Sequence, residues 1–393
     1  MNPYILDKIR RDTPGCKYVL HFNNAGAALS SKTVVDAVKN HLDLELNTGG
    51  YEAAKLAAAQ TNKLYEAAGQ LINCESKEIA FLENATRAWD MAFYSLAFSQ
   101  GDKILTSVSE YASNYLAFLH MVKTRGVVID VVQNDMAGQL DLVDLKNKID
   151  KHVKLIAITH VPTQGGLINP VEEVGKMAKQ YNIPYLLDAT QSVGQMPIDV
   201  KVIGCDFLCA TGRKYLRGPR GTGFLYVRKE LINQLNPPFI DLHAASWVDD
   251  NNYILREDAR RFESWEQNIA AKIGLGVAIQ YALDLGLSTI WERIQKLAEQ
   301  LRQGLQANNN IKLHDLGEKQ CGIVTFTSPP KSPEAIKDYL ASKKINVSVS
   351  LLEYARLDLG KRQIPALVRA SVHYYNTEQE IDVFITEIRK FLN

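Results

Sequence analysis

From Lys103 onward, short apolar runs alternate with stretches of helical period, and this alternation limits the fold more than any other feature of the chain. Ile104–Val108, Val127–Val132, Leu155–Thr159, Tyr185–Leu187 and Phe207–Thr211 read as buried strands. The intervening segments, around 113–125, 141–150 and 170–182, predict helices. Parallel strands need crossovers of about a helix's length, so the pattern predicts an α/β fold: a mostly parallel sheet covered by helices on both faces. In such sheets the working residues gather beyond the carboxyl ends of the strands.

Two of those ends carry chemistry. Pro184-Tyr-Leu-Leu-Asp188 is a short apolar strand that stops on a carboxylate. Phe207–Ala210 stops at Thr211-Gly212, and Lys214 follows between Arg213 and Arg217. Burial and neighbouring cations both disfavour an ammonium, so a lysine at this junction should lose proton affinity, as an amine nucleophile forming a Schiff base requires. Read singly, Lys214 could be an ordinary surface lysine and Asp188 a turn or capping residue. Read together they match pyridoxal phosphate (PLP), which needs a lysine for its aldehyde and an acid against its ring nitrogen.

The longer motifs are Asp188-Ala-Thr-Gln191-Ser-Val-Gly194, Thr211-Gly-Arg-Lys214 with Gly218-Pro-Arg-Gly221, and Arg369-Ala-Ser-Val-His-Tyr-Tyr-Asn-Thr377. With these the chain resembles the aminotransferase class V branch of the fold-type I PLP-dependent transferases. Cysteine desulfurases, C–S lyases, isopenicillin N epimerase-like proteins and hercynylcysteine sulfoxide lyases belong to that branch. The resemblance implies Lys214 and Asp188 as catalytic residues. It also implies a phosphate site at the start of a helix, where Ala85 offers an N–H and Thr86 an N–H and a hydroxyl; Thr86 could instead only cap that helix. Free N–H groups and the dipole at a helix N-terminus suit such an anion. Thr211, Gln191 and Arg213 are implied as further cofactor contacts, with Arg213 standing where relatives commonly carry histidine. Tyr111 occupies the position of the histidine that usually stacks on the cofactor ring.

For a substrate, the resemblance implies Arg369 as the clamp for an amino-acid α-carboxylate, a role its fixed fork of donors suits. Without the resemblance, Arg369 reads as a surface ion pair. Asn24 and Thr163 are implied as further substrate contacts; for Asn23 and Asn24 the alternative is an Asx turn closed by Gly26. Glu266 falls where relatives reach across a dimer to the partner's phosphate. A carboxylate there would be repelled, so Glu266 is expected to pair with Arg213 or another cation across the interface. The resemblance thus implies a homodimer acting on a small amino acid.

The reaction is less constrained. Desulfurases use a mobile cysteine shortly before the carboxylate arginine, and Ser348–Val368 contains none. That favours a C–S lyase, which would eliminate sulfur from Cβ of a cysteine-derived substrate and give pyruvate and ammonia. An aminotransferase or epimerase is the alternative, and a non-catalytic PLP-fold regulatory protein the alternative from another class.

A chain of 393 residues suits a large domain and a smaller one. Expected are an N-terminal arm at 1–20, a PLP-binding domain at 21–266, and a linking helix with a small α+β domain at 267–393. Helices are predicted at 32–46, 52–72 and 267–285, and another opened by a capping box at Thr289-Ile-Trp-Glu292. A net charge of +1 gives no support to a nucleic-acid or membrane-surface partner. Five cysteines make a disulfide framework unlikely to be the organising device, and the N-terminus has no apolar core of signal-peptide type. The expected location is cytoplasmic.

Overall fold

The computed structural model describes residues 1–329 and 331–392. Its centre is a seven-stranded sheet in the order Ile79–Leu82, Gly223–Val227, Phe207–Thr211, Tyr185–Asp188, Val153–Thr159, Lys103–Ser107 and Val128–Val132. Only Gly223–Val227 runs antiparallel to its neighbours. The predicted α/β architecture is therefore present, with strand limits shifted by a residue or two.

Successive side chains of a strand point to opposite faces, and both faces here are covered. Ile104, Leu155, Ala157, Leu186, Phe207 and Cys209 pack with Trp89, Phe93 and Phe118 on one side. Leu105, Ile156, Ile158, Leu187, Leu208 and Phe224 join the larger core on the other. The apolar runs lack alternation because neither face meets water. Cys205 and Cys209 are both buried but belong to opposite cores.

The C-terminal region holds a four-stranded antiparallel sheet, Lys312–Leu313, Ile323–Thr327, Ala366–Ser371 and Ser348–Leu351 in that order. The N-terminal segment joins this part of the molecule. Leu20–His21 pair in parallel with Ile345–Asn346, and Asn23 bridges to Ser371. The arm itself contains a helix, Pro3–Arg11, capped by Asn2.

Two helix expectations change. The segment 52–72 is broken at Ala57 into Gly50–Leu56 and Ala58–Ile72. The capping box at Thr289 is not used, because the helix Leu287–Gln306 starts directly after Gly286, which ends Ile269–Leu285 with φ of 80°. An exposed hairpin, Ala245–Asp249 with Asn252–Leu255, has no counterpart in the sequence reading. No single helix among the described residues is long and apolar enough to cross a membrane.

Candidate active site

The carboxyl ends of neighbouring strands bring Thr159 level with Asp188, and Asp188 level with Cys209. Beyond them opens a cleft of about 510 Å³, whose walls include Ala85, Thr86, Tyr111, Asp188, Arg213 and Lys214. Thr163 and Gln191 line it as well.

Asp188 is buried and held from two directions. Its Oδ1 accepts from the Thr190 N–H at 2.9 Å and its Oδ2 from Asn114 Nδ2 at 2.9 Å. Lys214 is half-buried, and its ammonium has no hydrogen-bond partner among the described residues. Burial, then the charges of Arg213 and Arg369, bring its pKa down to about 7, against the opposing pull of Asp188. The expected loss of proton affinity is therefore found. Its second cation is Arg369 from the C-terminal sheet, whereas Arg217 turns away.

Two glycines allow this packing. Gly194 has φ of 91°, and a Cβ there would lie 2.6 Å from the Tyr215 backbone, beside Lys214. A Cβ on Gly223 would meet the Ala210 carbonyl oxygen at 2.6 Å and the Asn84 backbone at 2.8 Å. That close approach seats the start of helix Ala85–Phe93 at the sheet's edge. Asn84 caps this helix by accepting from the Arg87 N–H at 2.9 Å. The capping residue is thus Asn84 and not Thr86. The N–H groups of Ala85 and Thr86 have no acceptor among the described residues, so they face the cleft unpaired.

Arg213 turns one Nη to Thr211 Oγ1 at 3.2 Å, and Thr211 donates to the Thr222 carbonyl. Thr211 is buried behind Arg213 and does not reach the cleft wall. Gln191 donates to the Ala25 carbonyl at 3.2 Å, which leaves its Oε1 buried without a partner. Tyr111 lines the cleft at the start of helix Ala112–Arg125.

Arg369, 8% exposed, donates to Ser348 Oγ at 3.0 Å and to the Thr163 carbonyl at 3.0 Å and hydroxyl at 2.5 Å. It makes no ion pair among the described residues, and Thr163 carries it to the cleft edge. The surface ion pair that Arg369 would otherwise suggest is not present.

Asn24 does not make its expected contact, and Glu266 stands apart from the cleft within one protomer. Asn24 is fully buried; its Nδ2 donates to the carbonyls of His21 and Ser371, and its Oδ1 accepts from the Tyr375 hydroxyl. Buried, with both amide hydrogens and its oxygen engaged, it ties the N-terminal segment to the C-terminal sheet and does not line the cleft. Glu266 is exposed and lines a separate hollow with Glu45 and Glu83. Within one protomer it touches neither the cleft nor Arg213.

The buried carboxylate of that segment is Glu263. Burial raises its pKa, but His243, Lys272, the Phe81 N–H and Gln267 outweigh burial and bring it to about 2. Sequence reading also passed over Asn114 and Thr190. Asn114 lies four residues after Glu110, across the start of helix Ala112–Arg125, and that spacing was the available signal.

The aminotransferase class-V family profile matches residues 20–384. A probable cysteine desulfurase of Pyrococcus abyssi is 33% identical over 97% of this chain and 96% of its own. A cysteine desulfurase from Thermococcus onnurineus NA1, solved in its apo form, superposes with a TM-score of 0.91 at 30% identity, covering 98% of each chain. A cystine C–S lyase solved with its product cysteine persulfide shares the fold, with a TM-score of 0.85 at 22% identity over 96% of this chain and 98% of its own. The chain belongs to the aminotransferase class-V family and is, with it, a PLP-dependent enzyme.

Proposed function

We propose that the enzyme is a C–S lyase: it removes a sulfur leaving group from Cβ of cysteine or a cysteine derivative and gives pyruvate, ammonia and the released thiol or sulfide. The observation that carries this reading is the segment before Arg369. Residues 348–368 contain no cysteine, and the segment is tied down: Asp358 accepts from Gln164 at 3.1 Å, Arg362 donates to the His314 carbonyl at 2.7 Å and Lys361 to Gln133 at 2.6 Å. None of the five cysteines lines the cleft. A sulfur atom cut from the substrate therefore meets no thiol on the cleft wall and leaves in solution. The names of the relatives support cysteine as the substrate class.

The cleft's unpaired groups fit PLP. The free N–H pair of Ala85 and Thr86, with Arg213, suits a phosphate dianion. Lys214 is available for the aldehyde, and the unpartnered Gln191 Oε1 can accept from the ring's hydroxyl. Asp188 would keep the ring nitrogen protonated, and Thr211 would orient Arg213. When bound, PLP supplies an electron sink for the substrate's Cα carbanion. The chain's own part is to hold the substrate carboxylate at Arg369, with Thr163 fixing that guanidinium, and to take the Cα proton on Lys214. A lysine with a pKa near neutrality is suited to that transfer. Tyr111 would close one face of the ring.

We also take the enzyme to be a homodimer, with Glu266 near the subunit boundary. Exposed Leu242, Trp247, Ile254 and Trp265 support an apolar interface there. The division into an arm, a large domain and a C-terminal domain remains our reading, with residues 20–25 serving both larger parts.

The deciding experiment is a panel of cysteine, cystine, S-substituted cysteines and alanine. Pyruvate with stoichiometric ammonia from the sulfur compounds alone is expected. Amino transfer to an added 2-oxo acid, or inversion at Cα, with no pyruvate would replace the lyase by an aminotransferase or epimerase.

A further inference from the structure

Asn114 sits in the first turn of helix Ala112–Arg125 and is buried. Its Nδ2 donates to Asp188 Oδ2 and to Glu110 Oε1, both at 2.9 Å. An amide nitrogen has two hydrogens, so both are committed. Turning the side chain end for end would set its oxygen against two carboxylates, and the amide is thereby locked.

Glu110 gathers more than this one donor. It also accepts from the Thr106 hydroxyl at 2.8 Å, the Tyr111 N–H at 2.8 Å and the Thr159 hydroxyl at 2.6 Å. All four donors are neutral, and the residue is 3% exposed. The other titratable groups facing it are Asp188, from strand Tyr185–Asp188, and the Cys209 thiol, from strand Phe207–Thr211. A buried carboxylate without a cation is costly, and capping one helix would need only the Tyr111 contact. Of the remaining donors, Asn114 also holds Asp188, and Thr159 lies level with Asp188 in the sheet.

We propose that Glu110 is a positioning residue for Asp188, acting through Asn114: it fixes the amide whose second hydrogen holds the carboxylate that faces the cofactor's ring nitrogen. The proposal rests on our reading of Asp188. Burial, opposed by the Thr159 hydroxyl and reinforced by the charge of Asp188, raises the pKa of Glu110 to about 7. Around neutral pH, Glu110 therefore changes from neutral to charged one amide away from Asp188. As an anion it strengthens the negative potential at Asp188 and so the hold on the ring proton.

The test uses Glu110→Gln, Glu110→Ala and Asp188→Asn, with two readouts besides turnover. One is PLP affinity, from titration of apoprotein followed by fluorescence; the other is the pH dependence of the visible absorption band of the holoprotein. The wild type should show a spectral step near pH 7. Glu110→Gln keeps acceptors for Asn114 and Tyr111 and should retain most of the affinity while losing that step. Glu110→Ala frees the amide and should weaken PLP binding by about tenfold or more. A step unchanged in Glu110→Gln overturns the proposal, even if Glu110→Ala fails to fold. Weakened binding in Asp188→Asn with unaltered Glu110 variants would overturn the relay alone. An Asp188→Asn protein that binds and titrates like wild type would overturn the reading of Asp188 itself.

Discussion

Two arginines, each more than nine-tenths buried and each without a carboxylate partner among the described residues, are held in different ways. Arg217 has a φ of 61° and has a partner on each of its three side-chain nitrogens. It donates to the Leu29 carbonyl at 2.8 Å, the Tyr374 hydroxyl at 2.8 Å and Thr13 Oγ1 at 2.5 Å. Its guanidinium also lies 4.8 Å from the centre of the Tyr375 ring and 5.3 Å from that of Tyr374. The N-terminal arm, the loop at Leu29 and the C-terminal tyrosines meet on this one side chain. Arg369 is anchored as firmly by Ser348 and Thr163, yet it leaves one Nη without a partner among the described residues. A buried charge with a partner on each of its three nitrogens holds the fold together. One with a nitrogen left over, at the edge of a cleft, suits an anion, which in our proposal is the substrate carboxylate.

The comparison can be broken by mutation. Lys214→Ala removes the amine that has no protein partner, so turnover should fall by roughly a thousandfold or more while the melting temperature of the apoprotein holds or rises. Steady-state kinetics and calorimetry on one preparation check both halves. Arg217→Met should cost about 2–4 kcal/mol in urea unfolding and leave KM alone, because it strands three acceptors, none of which lines the cleft. Arg369→Lys should do the reverse, raising KM about 10- to 100-fold with little loss of stability. If Arg217→Met raised KM and Arg369→Lys mainly destabilised, the distinction would fail.

A smaller effect concerns pH. Lys214 titrates at about 7 in the folded protein against 10.5 for an ordinary lysine, because burial and two arginines oppose its charge. Between those values the unfolded chain binds the extra proton, so the apoprotein should gain stability as pH rises from about 7 toward 10.5. Lys214→Met should lose that rise in denaturant titrations at paired pH values. The smallest expected effect is none. Alkylating the accessible thiols of the native enzyme, those of the part-exposed Cys16 and Cys74, should leave pyruvate formation unchanged. Loss of turnover would restore an enzyme thiol to the mechanism.

Much of the site was legible because its residues stand at local landmarks: a strand ending at Asp188, a turn carrying Lys214, a helix start at Ala85. Thr211 and Asn24 were legible as positions and not as contacts. Thr211 is screened by the Arg213 side chain, and Asn24 is consumed by Tyr375, 351 residues away in sequence. Glu110 and Asn114 were read past because a buried carboxylate held only by neutral donors looks, in sequence, like any glutamate in a loop. The bend at Gly286 was misplaced for a different reason: a positive φ ends one helix and starts the next in a single residue, leaving no room for the capping box at Thr289.

Periodicity and the residues that end the strands determined by themselves the α/β class and the order of the central elements, while the resemblance of the motifs singled out Lys214, Asp188 and Arg369 as candidates. These depend on contacts within a few residues and on which faces must avoid water. Tertiary structure alone decided which of those groups keep an unused hydrogen bond. That depends on partners brought from more than a hundred residues away, such as Thr163 to Arg369 and Thr13 to Arg217. No local pattern records whether such a partner arrives.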